Sequence, residues 1–308
     1  MPFSVICGSY HLVGQTRSGH PSGFEPDGDS MQFQPDQPTL LDRLDQVGAP
    51  YRLTPIGSTQ LRFEGVDALE LHFEGSHQPR PLADQARDYL TGRLGLNPVP
   101  YRPPANLRVK PPVPKDATRG YILSRALEAH GRPVAFAFAG KPPAPDGTEI
   151  LLKPALLRKS LNYRSVRNGH AYPLFYDTLF ADLRRTLASA THEARTAQRG
   201  LWASDLTGTG VKVRTQVDLE RDGVVFPKLY RRLTTFLREG TGPLARFPAW
   251  LEKTREQVVD LSADGNFTHF DNLVKVDGNV VSLRLAPDQI VFVSAKPKTT
   301  GRAPWLAL

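Results

Sequence analysis

The chain reads LRFEGVDALE at residues 61–70, and the interpretation of the other motifs depends on this stretch. The alternation in its first half predicts a strand, on which Arg62 and its apolar neighbours face opposite sides of a sheet. Asp67 and Glu70 follow where the strand gives way to a loop, so their carboxylates are free to converge. Carboxylates can hold a hard cation and position water, and arginine binds phosphate oxygens in bidentate fashion. The stretch therefore favours a metal-assisted phosphodiester site, although charged residues at strand ends are usually just solvated.

Two further turns place charged residues at the start of predicted strands. The Asp-Gly-Asp sequence at residues 27–29 is a tight turn before an alternating stretch, and it can present Asp29 as a further hard oxygen ligand. The His-Gly-Arg sequence at residues 130–132 precedes the apolar run PVAFAF and places a second arginine, Arg132, at the mouth of a strand. The sequence thus offers three carboxylates and two arginines for one site.

In this order, the motifs resemble the signature of the staphylococcal nuclease (thermonuclease) family. That signature is an Asp-Gly-Asp turn, a strand of the form Arg-x-x-x-x-Asp-x-x-Glu, a Gly-Arg turn and a helix that ends in Gly-Leu-Trp. The spacing of Arg62, Asp67 and Glu70 matches this form, and GLW stands at residues 200–202. The stretch LNYRSVRNGHAY at residues 161–172 is also typical of the family.

The resemblance covers roughly residues 3–205 and implies an α+β fold. The expected architecture is a five-stranded OB-fold-type β-barrel with packed helices, in a domain of residues 1–205. Relative to the compact family fold, this domain carries insertions at about residues 36–55 and 97–118, the second of them rich in proline. Residues 206–308 are expected to form a separate, unrecognised α+β domain after a glycine-rich linker.

The resemblance also implies the roles of the site residues. Asp29 and Asp67 would ligate one calcium ion, together with the backbone carbonyl of Ala68. Glu70 would orient or deprotonate the attacking water. The two remaining side chains, Arg62 and Arg132, would neutralise the charge that grows on the phosphate oxygens. The implied activity is calcium-dependent hydrolysis of DNA or RNA with little sequence specificity.

Three aromatic residues occupy the positions where the family flanks a bound nucleotide. They are Tyr172, Phe175 and Tyr176. Bases stack on such rings with little sequence preference. The sequence leaves a second interpretation equally open, in which the three rings belong to the core. The lysine-tyrosine pair that the family has before its Gly-Arg turn is replaced here by Ala129-His130, so phosphate contacts there are weaker or come from elsewhere.

Periodicity predicts the regular elements outside the motifs. A helix is expected in the first insertion at residues 39–47, with apolar residues at helical spacing. The other predicted helices cover residues 82–94, 154–168, 179–199, 227–238 and 248–259, and the C-terminal strands cover residues 211–217, 273–276, 280–285 and 290–294. The basic residues of the last two helices suggest either an accessory nucleic-acid surface or a solvated face.

Bulk properties agree with a polyanionic partner without requiring one. The 308 residues carry a formal charge of +8, with a pI of about 9.6. The single cysteine, Cys7, excludes a disulfide framework. The first residues lack the basic region and long apolar core of a secretion signal, and no apolar run approaches the ~20 residues that span a bilayer. A cytoplasmic protein without membrane contact is therefore expected.

A second function remains open at this point: a catalytically silent, nuclease-like domain that binds nucleic acid or protein. Silent copies in the family typically lose the arginines or carboxylates, and all five are present here. An active, nonspecific nuclease in the cytoplasm needs control, and one hypothesis is that the C-terminal region acts as its gate.

Overall fold

The computed structural model describes residues 2–240, 242–263 and 265–294 of the chain. The strands are β1 Phe3–His11, β2 Val13–Gln15, β3 Pro21–Gly23, β4 Gln32–Pro35, β5 Asp45–Gln46, β6 Thr59–Gln60, β7 Arg62–Phe63, β8 Val66–Asp67, β9 Ala117–Leu127, β10 Pro133–Ala139, β11 Glu149–Ile150, β12 Tyr172–Pro173, β13 Phe175–Tyr176, β14 Val211–Lys212, β15 Gln257–Asp260, β16 Asn266–His269, β17 Val274–Asp277, β18 Val280–Leu283 and β19 Ile290–Phe292. The α-helices are α1 Arg80–Arg93, α2 Pro154–Leu157, α3 Leu161–Arg167, α4 Ala181–Thr196, α5 Gln216–Asp222, α6 Pro227–Glu239, α7 Phe247–Glu252 and α8 Phe270–Leu273.

The N-terminal strands form a nearly closed, barrel-like sheet, so the α+β class is confirmed. The main strand order is β6-β4-β1-β9-β10-β7, and the long antiparallel pair of β1 and β9 lies at its centre. The segment of residues 59–63 contains both end strands. One end pairs with β4 through Gln32 and Gln60, and the other pairs in parallel with β10 through Arg62 and Val134. This segment therefore brings the two edges of the sheet together and places Arg62 at the closure.

Helix α3 is anchored to the barrel by a buried amide. Asn162 Oδ1 accepts from the amide of Ala137 at 2.9 Å, and Asn162 Nδ2 donates to the carbonyls of Glu64 and Ala135 at 2.9 and 3.0 Å. A single helix over residues 154–168 was expected, but the structure has two, α2 and α3. The break lies at Ser160, whose hydroxyl caps α3 by accepting from the amide of Tyr163. Serine is a favoured N-cap residue because its hydroxyl can bind a free amide of the first helical turn, so a new helix begins after Ser160.

The C-terminal part adds a four-stranded and a three-stranded sheet and shares its core with the N-terminal part. Strand β13 of the N-terminal part pairs in parallel with β19, with Phe175 opposite Val291. The second apolar core contains Leu69, Tyr172 and Leu174 together with the buried face of α6. The two parts are therefore joined by a strand pair and by a common core.

Three further predicted elements differ from the structure. The predicted helix at residues 39–47 is a 3₁₀ helix, Pro38–Arg43, followed by β5, which pairs in parallel with the end of β9. The predicted helix at residues 248–259 ends early, because Arg255 takes a φ of 50° and the following valines pair as β15. The predicted strand at residues 211–217 ends early too, since Thr215 and Asp218 form a capping box that begins α5.

No helix within the described ranges is long and apolar enough to cross a membrane.

Two glycines meet back to back where the chain leaves α3 and α4. Gly169 and Gly200 have φ values of 72° and 54°. The amide of Leu201 donates to the Gly169 carbonyl at 2.9 Å, and a Cβ on Gly200 would lie 2.2 Å from that same carbonyl oxygen. Glycine is required at both positions, because any side chain would force the two backbones apart.

We expect Gly200→Ala to lower the free energy of unfolding by roughly 1–3 kcal/mol or more. The strain of a positive φ in alanine and the collision of its Cβ with the Gly169 carbonyl both destabilise the folded state. Gly278→Ala is the matched control, since Gly278 has a φ of 57° but no atom within 4 Å of an added Cβ. Urea unfolding of both variants measures the difference. Equal losses of stability would show that the contact between the two glycines contributes nothing beyond backbone strain.

Candidate active site

Four carboxylates and two arginines converge where residues 61–70 meet the Asp-Gly-Asp turn. Asp67 is held in β8 opposite Tyr172 of β12, and its side chain is only 2% exposed. The turn is tied to the same segment, because the amide of Phe63 donates to the Asp29 carbonyl at 3.0 Å and the amide of Ala68 to Asp29 Oδ2 at 3.3 Å. We call the group the acid–arginine cluster; its members are Asp27, Asp29, Arg62, Asp67, Glu70 and Arg231.

Asp27 and Arg231 are the two members of this cluster that the sequence did not predict as site residues, and Arg231 comes from α6 in the C-terminal part. Its Nη2 donates to Asp67 Oδ2 at 2.9 Å and its Nη1 to Asp67 Oδ1 at 3.1 Å, and Nη1 also donates to Glu70 Oε1. The guanidinium thus binds Asp67 in bidentate fashion and bridges to Glu70. The side chains of Arg231 and Glu70 are 23% and 14% exposed, so water screens these ion pairs only weakly.

The loop after Glu70 is fastened to the C-terminal part of the chain. The amide of Glu70 donates to Gln78 Oε1 at 3.1 Å. Gln78 is buried, and its Nε2 donates to the carbonyls of Gly223 and Val225, both at 2.8 Å. Ser76 Oγ donates to Glu220 Oε1 at 2.6 Å. The position of Glu70 therefore depends on residues that lie outside the predicted nuclease-like domain.

Burial and mutual repulsion raise the pKa values of the carboxyl groups. Burial raises the pKa of Glu70 to about 7, with Arg231 opposing the shift and Asp67 adding to it. Burial and the neighbouring Asp67 raise the pKa of Asp29, against the opposing charge of Arg62. The pKa of Asp27 is raised well above its usual range by burial, Asp29 and Glu70. If all were ionised, four carboxylates would exceed two guanidinium groups by two negative charges.

We expect the stability of the metal-free protein, relative to Glu70→Gln, to fall by about 3 kcal/mol between pH 4.5 and about 7. The pKa of Glu70 moves from 4.5 to about 7 on folding, so the folded state holds this proton more tightly. That advantage is complete below pH 4.5 and lost as the pH rises through 7, at about 1.4 kcal/mol per unit. Urea unfolding of both proteins in EDTA measures it. A difference that does not change with pH would contradict the raised pKa.

Arg132 lies apart from the cluster contacts. Its Nε donates to Glu128 Oε1 at 3.1 Å, within the turn that joins β9 to β10. The same Glu128 oxygen accepts from the amides of His130 and Arg132 at 3.1 and 3.2 Å. Glu128 therefore organises the turn and holds the arginine there. Of the two predicted phosphate ligands, Arg62 joins the carboxylates, whereas Arg132 pairs with Glu128.

The three predicted base-stacking aromatics have different environments. Tyr172 and Phe175 are fully buried, and the Tyr172 hydroxyl donates to Asp205 Oδ1 at 2.7 Å. Neither ring has a face free for a base. Tyr176 is partly exposed, and its ring lies 5.9 Å from the Arg62 guanidinium and 5.5 Å from Lys228 Nζ. Of the three, Tyr176 alone is accessible beside the cluster.

The carboxylates of the acid–arginine cluster are suitable ligands for calcium, but their observed positions do not form a calcium site. Carboxylates are the ligands that hard cations prefer, and Ala68 lies beside Asp29 as the resemblance implies. As the side chains stand, however, no three Asp, Glu, His or Cys residues of the described chain form a group that could hold a metal ion. Arg231 supplies positive charge to Asp67 and Glu70 in its place.

Comparison with protein-family models gives no match for this chain, and comparison with curated proteins gives none either. The acid–arginine cluster is therefore the basis on which a function is proposed.

Proposed function

We propose that the chain is a calcium-dependent nuclease that hydrolyses phosphodiester bonds of DNA or RNA at the acid–arginine cluster. The proposal includes an OB-type barrel of the staphylococcal nuclease kind for residues 1–205. The observation that carries it is the convergence of Asp29, Arg62, Asp67 and Glu70, the residues whose order and spacing resemble the family's site.

Glu70 is suited to act as the general base. A base is most effective when its pKa lies near the working pH, and burial raises the pKa of Glu70 to about 7. Its carboxylate would accept the proton of the attacking water. The protonated group could then return that proton as the leaving oxygen departs.

Arg62 is suited to hold the phosphate. Burial lowers the pKa of Arg62, but the combined effect of Tyr176, Asp67 and Asp29 outweighs burial and leaves the pKa raised, so the guanidinium stays charged. A guanidinium offers paired donors for phosphate oxygens and stabilises the charge that develops on them. Contacts of this kind read the backbone and not the bases, which fits low sequence specificity. Arg132 would act as a second phosphate ligand only after it leaves Glu128.

Arg231 makes the observed arrangement a closed state of this site. The Arg231 guanidinium already supplies the positive charge that faces Asp67 and Glu70, and it would repel a calcium ion held by the same two carboxylates. Calcium binding therefore requires Arg231 to withdraw, and the fastening of the Glu70 loop to the C-terminal part places this change under the control of that part. The expected gate thus takes the form of one arginine in the place of the cation.

A specific observation favours the second candidate function, a catalytically silent module that binds nucleic acid or protein. The ion pairs of Arg231 with Asp67 and Glu70 leave these carboxylates satisfied without a metal. In that case the cluster is a structural link between the two parts of the chain, and Arg231 never leaves.

Digestion of supercoiled plasmid and of a structured RNA distinguishes the two functions. The full chain in millimolar calcium is expected to nick and then degrade both substrates, and excess EDTA is expected to stop the reaction. The Glu70→Gln variant, which is expected to cleave far more slowly, is purified in the same way and controls for contaminating nucleases. Absence of cleavage in calcium, with retained binding of the same nucleic acids, would support the silent module instead.

A further inference from the structure

A second positively charged site lies away from the acid–arginine cluster. A cavity of about 430 Å³ opens where the ends of α1, α2 and α3 meet, and its lining includes Tyr89, Arg93, Arg158, Arg164, Arg167 and Asn168. We call it the arginine pocket. Helix α1 begins near the loop of Glu70 and reaches the pocket about 20 Å further on, since 14 residues rise at about 1.5 Å each.

The positive charge of the arginine pocket is largely unpaired. Arg167 Nε lies 3.7 Å from Glu193 Oε2, in a pair whose two side chains are about half exposed. Within the described part of the chain, no carboxylate forms an ion pair with Arg93, Arg158 or Arg164. Four arginines against one glutamate leave a charge of about +3 before the helix ends are counted.

The negative ends of the three helix dipoles are too weak to neutralise this positive charge. Cations are favourable at helix C-termini, and each terminus carries at most about half a negative charge. Three such ends meet here, and two of them belong to helices of four and seven residues. Even at full value they would cancel about 1.5 charges, which leaves the pocket distinctly positive.

The floor of the pocket is held in place by contacts of its polar and aromatic side chains. The Tyr89 hydroxyl accepts from Asn168 Nδ2 at 3.0 Å and donates to the Arg164 carbonyl at 3.4 Å. Its ring stacks on His170 at 4.1 Å between centroids. The Arg167 carbonyl accepts from Arg199 Nη1 at 3.2 Å. The backbone that carries the arginines is therefore fixed, while Arg158 and Arg167 remain exposed.

We propose that the arginine pocket binds the phosphate backbone of nucleic acid. Arginine forks match phosphate oxygens, and several of them on an open surface suit a chain of phosphates. A single small phosphate is usually bound by backbone amides at a helix N-terminus, whereas the three helices present their C-termini here. This binding does not require that the chain cleave its ligand, so the site is independent of the acid–arginine cluster.

Fluorescence anisotropy of a labelled 20-nucleotide single strand, in EDTA over a series of salt concentrations, tests the proposal on the full chain. The double substitution Arg158→Ala with Arg164→Ala is expected to weaken binding roughly tenfold and to reduce the slope of log affinity against log salt by about 1.4, at about 0.7 per lost phosphate contact. The matched control is Arg17→Ala with Arg185→Ala, which removes the same charge from two exposed sites elsewhere. Urea unfolding checks that both double variants are folded.

An equal loss of affinity and slope in both double variants would overturn the proposal, because it would show only a general effect of net charge. Displacement of the strand by inorganic phosphate at constant ionic strength would also overturn it, in favour of a site for single phosphate groups. Because the assay measures binding in EDTA, its outcome does not depend on whether the acid–arginine cluster cleaves nucleic acid.

Discussion

Replacing Arg231 with methionine is expected to make the folded protein strongly dependent on calcium. Methionine keeps the length and much of the volume of the side chain but leaves Asp67 and Glu70 without their cation. Removing one partner of a buried ion pair costs about 3–5 kcal/mol. In EDTA the variant should therefore unfold at much lower urea concentration than the parent.

Calcium should restore the stability of Arg231→Met more than it raises that of the parent. In the parent, calcium has to displace a tethered guanidinium, whereas in the variant the carboxylates are free to bind it. The gain follows the usual linkage and reaches about 2.7 kcal/mol at a hundred times the dissociation constant. Titration calorimetry with calcium provides an independent measurement, with tighter binding expected for the variant.

Arg238→Met is the matched control for this experiment. Arg238 lies on the same helix and pairs with Glu74 at 2.9 Å, but its side chain is 56% exposed. Exposed pairs contribute about 0–1 kcal/mol, so this variant should resemble the parent with and without calcium. If calcium fails to stabilise Arg231→Met, the carboxylates are no cation site, and the silent module becomes the better explanation.

Replacing Glu70 with glutamine is expected to lower the rate of nucleic-acid cleavage by about 10²–10⁴-fold, the usual contribution of a general base. The amide cannot accept the proton of the attacking water. It keeps a carbonyl oxygen for Arg231, so the contact between α6 and the Glu70 loop survives. Initial rates of plasmid nicking at saturating calcium measure the effect.

Glu149→Gln controls for the loss of one carboxylate, because Glu149 is exposed in β11, outside the acid–arginine cluster. It should cleave at the parent's rate. Binding of the labelled single strand in EDTA should be unchanged in both variants. Cleavage by Glu70→Gln at the parent's rate would rule out Glu70 as the base.

The motif at residues 61–70 carried most of what could be predicted about the site. Short-range patterns fix where Arg62, Asp67 and Glu70 stand on the chain, and barrel closure then brings Asp29 to them. Arg231 could not be predicted in the same way, because it is 161 residues from Glu70 in sequence and is one of several basic residues along α6. Nothing local distinguishes it from its neighbours on that helix.

Element type was predicted well where the pattern was long and less well where tertiary contacts decide. Helix α6 matches its predicted range to within one residue, because its apolar stripe continues over its whole length. The region after Glu252 had helical spacing, yet its valines pair with β16 and β19. The burial of Tyr172 and Phe175 likewise depends on residues distant in sequence: Trp202 and Phe226 pack on Tyr172, and Val291 of β19 pairs with Phe175.

The parallel pair of β13 and β19 limits how the molecule can be opened. Phe175 and Tyr176 pair with β19, a strand from the C-terminal part of the chain. Proteolysis or truncation that removed the C-terminal part would therefore leave β13 of the N-terminal part without its partner strand. If Arg231 closes the site as proposed, removal of the C-terminal part cannot open it without damage to the N-terminal part. Opening then has to come from a movement of the Arg231 side chain while the two parts stay joined.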